Sequence, residues 1–503
     1  MPYKLGLRSL YVLVYRVLHV ARITMKTPAL LASALLVSMA ALIKASVPAI
    51  AQDVESRMLE LEKELMLIKA ELASQAEQSK KATTKNSESS RDQYKMKGPT
   101  PMWESADGRY KMEIDGRIHY DFGLFSQDDD TTGNVEFPDL NSGSNFRRGR
   151  IGLKGVIDKE WAYNITFDLG ESSDSGNVDT DVVYLQYKGI KPLKFTLGKH
   201  KVPHMMGVLT SSNDIAFIER AQVANIMTTS VLRGQEIGEK RIGFSVGAGG
   251  YNYSAHFGLF SDNESFNDGD AALSAHGRLT FAPVADKDKA VHFGISGWHL
   301  FEPPQDESTS AAQTVQLRDR PEFRVDGDRL IDTGAIGGNV DEGNMVAFEL
   351  AGKFGPAWVM VEYATVEYDI NGTNGGTFTG IPRFHGYYIS GGYFLTGESR
   401  KYSARSGKWE GIRVKNPFTA KNGTGAWELL GRHSSMNLNA PASRIEGGKQ
   451  QNYTIGLRWW VNNWVNFGFN YIHANVDKQT ATNSGVEEGQ EFDIFAFRSA
   501  VKW

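Results

Sequence analysis

Arginines and lysines recur at two-residue spacing in two parts of this 503-residue chain. In FRRGRIGLKG, residues 146–155, an extended backbone puts Arg148, Arg150 and Lys154 on one face and Ile151 and Leu153 on the other. In LRDRPEFRVDGDR, residues 317–329, Arg318, Arg320 and Arg324 share a parity, with Glu322 among them. On a strand, that spacing sets successive guanidinium groups about 6.5–7 Å apart along the chain. Each planar fork matches phosphate oxygens bidentately, so a multivalent anion can be handed from one fork to the next. A file of sites that admit an ion and still release it is what selective conduction requires. Any wet channel wall carries charges of both signs, so one arginine says little. Two same-face rows carry the weight.

Such rows need a wall with one apolar and one wet face, and the end of the chain supplies the pattern. In EFDIFAFRSAVKW, residues 491–503, Phe495, Phe497, Ser499, Val501 and Trp503 fall on one face. Ala496, Arg498, Ala500 and Lys502 fall on the other. A strand greasy outside, polar inside and ended by an aromatic residue suits the closure of a transmembrane barrel. The alternation returns at Tyr163–Leu169, Tyr453–Trp459 and Val465–Tyr471, and Trp or Tyr stands near many apolar-face ends, as in an interfacial girdle. About 400 residues at roughly 25 per strand and connection predict an all-β antiparallel barrel of about 16 strands over 101–503. A large soluble sandwich or propeller is the competing architecture; it would bury the apolar faces and scatter the aromatics.

Composition fits this fold. Glycine is frequent at 52 residues, proline sparse at 16, and cysteine absent, so disulfides and thiolate metal sites are excluded. Mean hydropathy is −0.36, and after the leader no apolar run approaches the ~20 residues of a spanning helix. A formal net charge of −4 argues against a nucleic-acid binder driven by overall basicity, and any preference for anions must come from local arrangement.

The first 51 residues read as a signal peptide, with Met25 as an alternative start: Met25-Lys26, an apolar stretch Pro28–Ile43, and Ala49-Ile50-Ala51 as the cleavage site. A retained anchor is the alternative. Val54, Met58, Leu61, Leu65, Ile68 and Leu72 then recur at heptad spacing, predicting a short coiled-coil helix over 52–73 or, more simply, an isolated amphipathic helix. Residues 74–100 read as a polar linker.

The arginine-bearing stretches also resemble a known family. FRRGRIGLKG (146–155), RDRPEFR (318–324) followed by DTG (332–334), and FLTGESRKY (394–402) leading through RVKNPF (413–418) to GAWELLGRHS (425–434) are similar to the phosphate-selective porin O and P family, in the family's order over about 110–503. The resemblance implies a trimeric 16-stranded barrel in the outer membrane of a Gram-negative cell, with an arginine ladder and a lysine cluster drawing phosphate or pyrophosphate through a constriction. It places Arg147 and Arg148 on the paired arginines, Arg318, Arg320 and Arg324 on the arginine-rich strand, and Arg117 as a further rung. It places Arg400, Lys408, Arg413 and Lys415 in a cationic vestibule. Arg147 has the opposite parity to Arg148, so it reaches the lumen only if the regular strand begins after it.

Two features stand apart from that family pattern: the heptad segment and the acidic stretches QDDD (127–130) and ESSDSGNVDTD (171–181). Acids folded into the pore would weaken a preference for anions; as a solvated outer loop they would not, and a calcium site on Asp174, Asp179 and Asp181 is a remote third reading. No phosphate-cradling loop, nucleophile elbow or paired-histidine zinc motif is present. His200 and His204 flank Pro203, which breaks the helix a two-histidine site needs. Neither a cofactor, a metal nor catalysis is expected. The expected partners are phosphate-like anions, the outer-membrane bilayer and two further copies of the chain. The alternatives to a phosphate-selective porin are a general porin, or a structural barrel tethering the outer membrane to the cell wall through its coiled coil.

Overall fold

The computed structural model describes residues 62–75, 92–127, 139–170, 178–228, 230–232, 235–261, 271–303, 314–336, 340–370, 380–479 and 487–503. The expected signal peptide, residues 52–61 of the expected helix and residues 76–91 lie outside them. Residues 62–75 form a helix whose side chains are all exposed. The chain divides into a unit ending at Ser90 and a second unit, Arg91–Trp503.

The second unit is built on one antiparallel sheet. A hairpin comes first, β1 (Gln93–Lys97) and β2 (Thr100–Glu104). The expected linker is therefore shorter than 74–100, because QYKMK alternates and pairs with residues 100–104. The wall follows: β3 (Lys111–Gln127), β4 (Gly143–Ile157), β5 (Trp161–Asp168), β6 (Asp179–Tyr187), β7 (Leu193–Lys201), β8 (Lys240–Gly249), β9 (Tyr253–Phe260) and β10 (Leu273–Ala285). It continues with β11 (Lys289–Glu302), β12 (Val340–Phe354), β13 (Ala357–Ile370), β14 (Arg383–Phe394), β15 (Ala426–Ala440), β16 (Ile445–Trp460), β17 (Val465–Gln479) and β18 (Glu487–Lys502). Each of these sixteen strands pairs antiparallel with the next, and β18 pairs with β3 from Phe492↔Gln127 to Lys502↔Arg117. The sheet closes on itself, so the wall has no edge strand. Trp503 completes the seam by exchanging backbone hydrogen bonds of 3.1 Å with Gly116.

Alternation decides which side meets lipid. Phe122, Leu124, Phe348, Leu350, Ile455, Phe469 and Phe495 stand exposed on the outside. At the rim holding Trp503, Trp427 stacks on Trp459 with centroids 5.3 Å apart, and Phe418 meets Trp459 edge-on at 5.3 Å. These amphipathic rings suit a lipid–water boundary. Toward the opposite rim, Tyr363, Tyr387, Tyr453 and Tyr471 stand on the outer face. No described helix is long and apolar enough to cross a membrane; this chain crosses with strands.

Inside, the lumen is filled by long connections. Residues 202–239, between β7 and β8, carry α1 (Met206–Leu209) and α2 (Gln222–Ile226), whose Val208, Val223, Ala224 and Ile226 are buried with Ile218 and Met227. The described residues 314–336, between β11 and β12, pack against α2: Gln222 Nε2 donates to Arg320 O at 3.2 Å. Both connections come from the rim opposite the seam's Trp503. Residues 395–425, between β14 and β15, enter from the Trp503 rim and bury Trp409.

Candidate anion pathway

Two local irregularities in the wall bring charge into the lumen. Opposite His119 and Tyr120 the register of β4 slips so that Arg148 pairs with His119 and Phe146 with Tyr120, leaving Arg147 as the extra residue of a bulge. Arg147 and Arg148 therefore both turn inward although adjacent, and both reach Glu219, at 2.9 and 3.2 Å. A second slip, Thr166↔Val182 followed by Phe167↔Thr180, makes Asp181 the extra residue on β6. Asp181 lies inside the barrel against Arg150 (2.9 Å) and Lys240. Part of the second acidic stretch is thus in the pore, while residues 128–130 and 171–177 lie outside the described set.

The inner cations take two roles, and Arg220 serves in both. One group holds the 202–239 connection by its backbone. Arg432 Nη1 donates to Glu219 O at 2.9 Å, Arg458 Nη1 to Ala216 O at 2.9 Å and to Ile215 O, Arg498 Nη1 to Ile218 O and Arg400 Nη2 to Asp214 O. Arg220 does the same from within the connection, donating to Gly207 O at 2.8 Å and Thr210 O at 3.0 Å. Arg498 also pairs with Asp121 (2.6 Å) and Glu219 (2.7 Å). Burial opposes ionisation of Glu219, but Arg147, Arg148 and Arg498 outweigh it and hold the carboxyl well below its ordinary value. On the opposite wall the Gly207 N–H donates to both oxygens of Glu362, at 3.1 and 3.3 Å.

The other group faces a cavity of about 280 Å³ between that connection and the β3–β8 wall. Arg117, Arg148, Arg150, Lys201, Arg220, Lys240 and Lys408 line it, against three carboxylates, Asp115, Asp181 and Glu239. Glu239 is shared by Lys201 (3.2 Å), Arg220 (3.3 Å) and Lys240 (3.4 Å), which together overcome its burial and hold it well below the ordinary carboxylate range. Arg117 has only the hydroxyls of Ser212 (2.8 Å) and Ser211 (3.5 Å). Neither Arg117 nor Lys408 has a carboxylate within 4.0 Å among the described residues. The Nε atoms of Arg117 and Arg148 are buried without a hydrogen-bond acceptor among the described residues. Surplus positive charge with unmet donors is the setting in which a small oxyanion gains most.

Lys408 arrives there on the 395–425 segment. Arg400, 4.7 Å from the Trp358 ring and 5.8 Å from that of Trp409, pins the base of that segment. The turn at Ser406–Gly407 accepts from Arg278, with Ser406 O at 3.2 Å. Gly407 has φ +57, and a Cβ there would lie 2.7 Å from Thr280 Oγ1, so the tight approach requires glycine.

The other expected positions fall elsewhere. Arg318, Arg320 and Arg324 do not lie on a wall strand: only Arg318–Asp319 is extended, pairing with Ile331–Asp332. Pro321 removes a ladder donor and Glu322 takes φ +58, so the chain turns. Arg324 faces Asp319 at 3.4 Å, and Glu322 is committed to Arg432, Ser434 and the Gln222 N–H. Arg413 and Lys415 are exposed near the Trp503 rim. Lys201, Arg220, Lys240, Arg432 and Arg458 were not foreseen as site residues. Arg458 and Arg432 have the polar parity of their strands, a signal that marks them as lumenal without saying what they touch.

Residues 112–503 match the family described as phosphate-selective porin O and P. Porin O of Pseudomonas aeruginosa is 25% identical over 408 residues, covering 77% of this chain and 88% of that protein. An uncharacterized protein of Caulobacter vibrioides is 28% identical over 399 residues, covering 76% of this chain and 71% of that one. Among solved structures, an anion-selective porin from Comamonas acidovorans aligns with TM-score 0.46 at 11% identity, covering 78% of this chain and 99% of that one. OmpT of Vibrio cholerae aligns with TM-score 0.46 at 12% identity, over 78% and 98%.

Proposed function

This chain belongs to the phosphate-selective porin O and P family and is an outer-membrane porin, and from that premise we propose that phosphate-like anions cross it through the cationic cavity beside residues 202–239. The observation that carries the proposal is the charge of that cavity, seven cations against three carboxylates, two of the cations having no acid within reach. Arg117, Arg148, Arg150 and Lys408 of the expected set line it. Arg147 and Arg400 act on it by holding the connection that forms one side. Arg318, Arg320 and Arg324 belong to the outer approach, and Arg413 and Lys415 to the opposite mouth. Transport is passive: ions enter because the potential is positive and leave because each contact is shared among several weak sites.

The working unit in this reading is a homotrimer, exported with a signal peptide cleaved after Ala51. Its helices pack through the seam that Leu65, Ile68 and Leu72 leave exposed on residues 62–75.

The test is planar-bilayer conduction by the wild type and the Arg117→Ala, Lys408→Ala double variant. Reversal potentials in chloride and phosphate gradients should favour anions in the wild type, with phosphate blocking chloride current saturably. The double variant should lose both. Unchanged chloride current with undiminished phosphate block would remove the cavity from the pathway. Anion preference without any phosphate block in the wild type would make the protein a general anion porin.

A further inference from the structure

The hairpin β1–β2 precedes the family match, which begins at residue 112, and the conduction pathway does not use it. It continues the wall below the rim that holds Trp503. β2 pairs with the start of β3 through Met102↔Glu113, Trp103↔Met112 and Glu104↔Lys111, and β1 pairs with β2 through Tyr94↔Trp103 and Met96↔Pro101. Residues directly opposite share a face, so Tyr94, Trp103 and Met112 form one row, and Met96, Pro101 and Ile114 the next. Ile114, like Ile118 and Phe122, is on the lipid side of β3. The apolar side of the hairpin is therefore an unbroken extension of the lipid-facing surface. Met112 lies opposite Gly155 on β4, which lies opposite Tyr163 on β5, so the row joins the aromatic belt.

The other side is charged and internally paired: Lys111 and Lys95 meet Glu104 at 2.8 and 3.5 Å, and Lys97 meets Glu113 at 3.9 Å. Tyr94 and Met96 remain 84% and 64% exposed, more than most side chains of the lipid face. Three constraints then select one environment. Tyr94 and Met96 on an apolar face disfavour bulk water. The outer edge of β1 has no partner strand among the described residues, and unpaired backbone groups disfavour the hydrocarbon core. The turn at Gly98 lies under the ring of Trp464, whose atoms come within 2.0 Å of an ideal Cβ position, placing an interfacial-type residue at the hairpin's upper end. We propose that the Tyr94–Met96–Trp103 side is a lipid contact, lying in the headgroup–acyl boundary of the leaflet at the Trp503 rim and fixing the depth of the barrel there. The hairpin edge is solvated by headgroups and water while its face meets acyl chains.

The absence of cysteine makes the test clean. Tyr94→Cys and Lys95→Cys, in the full chain, are each labelled with an environment-sensitive nitrobenzoxadiazole and reconstituted into phosphatidylcholine vesicles. Interfacial contact at about 5–10 Å depth predicts a blue-shifted label at 94 that loses emission to a nitroxide near the head of the acyl chain. The label at 95 loses emission to aqueous iodide instead. Equal iodide quenching at 94 and 95 with no nitroxide quenching would overturn the proposal. So would protection of 94 from both quenchers, which would mean that a second copy covers it. Both substitutions are exposed, and heat-modified gel mobility checks that the barrel has folded; neither readout depends on what the pore conducts.

Discussion

The lumen of this barrel uses the same side chain in two opposite ways. Arg400, Arg432, Arg458 and Arg498 spend donors on the carbonyls of residues 214, 215, 216, 218 and 219, whereas Arg117, on the strand next to that of Arg498, meets only two serine hydroxyls among the described residues. The first set is structural, each member tied to backbone carbonyls even though Arg400 and Arg432 keep buried donors without an acceptor among the described residues; the second has neither carbonyl nor carboxylate and presents positive charge to whatever enters. A count of lumenal arginines therefore overstates the selectivity filter. What distinguishes a conducting arginine from a fastening one is the acceptor it has already found.

Breaking the fastening set should have the largest effect. Arg498→Ala leaves Asp121 and Glu219 buried with fewer partners, and loss of one member of a buried pair costs about 3–5 kcal/mol. We expect a large fall in the heat-modification midpoint, together with noisier, larger conductance as residues 214–219 loosen. Next comes the cavity: Arg117→Ala should weaken phosphate block about 10- to 100-fold, the worth of a charged hydrogen bond of ~1.5–3 kcal/mol, with the midpoint nearly unchanged. Glu239→Gln should act with the opposite sign on selectivity, raising the preference for anions in reversal-potential measurements while lowering stability, because three cations lose one acid.

Acid offers a milder probe. Glu219 is depressed, so its contribution is fully present above its ordinary value of 4.5 and is lost only as pH falls through the lower folded-state value. The loop should stay fastened at pH 4.5 and loosen below it, seen as conductance noise on further acidification. Smallest of all, Arg413→Ala and Lys415→Ala should change stability by no more than about 0.5 kcal/mol and leave phosphate block intact, since both side chains are exposed near the Trp503 rim and outside the cavity lining. A large loss of block there would erase the distinction between the two sets.

Much of the wall was legible because lipid enforces a strict two-residue code. The closing strand with Trp503, the inward parity of Arg148, Arg150 and Lys154, and the alternation of β5, β16 and β17 follow from it directly. Arg147 was legible only as a question, since the bulge that turns it inward depends on the register of β3, a neighbour not encoded in its own stretch. The row Arg318–Arg324 was misread: its parity suggested a wall strand, but Pro321 and the turn at Glu322 fold it into a connection. The fastening role of Arg458 and Arg498 was out of reach, because their acceptors are backbone carbonyls more than 200 residues away. Asp181 shows the same limit in reverse, an acid expected in a solvated loop and found facing Arg150.

The fastenings on residues 207–219 start from β18 (Arg498, itself held by Asp121 of β3), β15 and β16 (Arg432, Arg458) and β13 (Glu362), and converge on one segment. Mechanically the arrangement is a spoked hoop. A bare cylinder of strands can flatten into an ellipse at little cost, but spokes drawn to a common hub resist any change in diameter along several directions at once. Lateral squeezing by the surrounding bilayer would then reach the bore as a load on the hub, and the circular cross-section would be set from within.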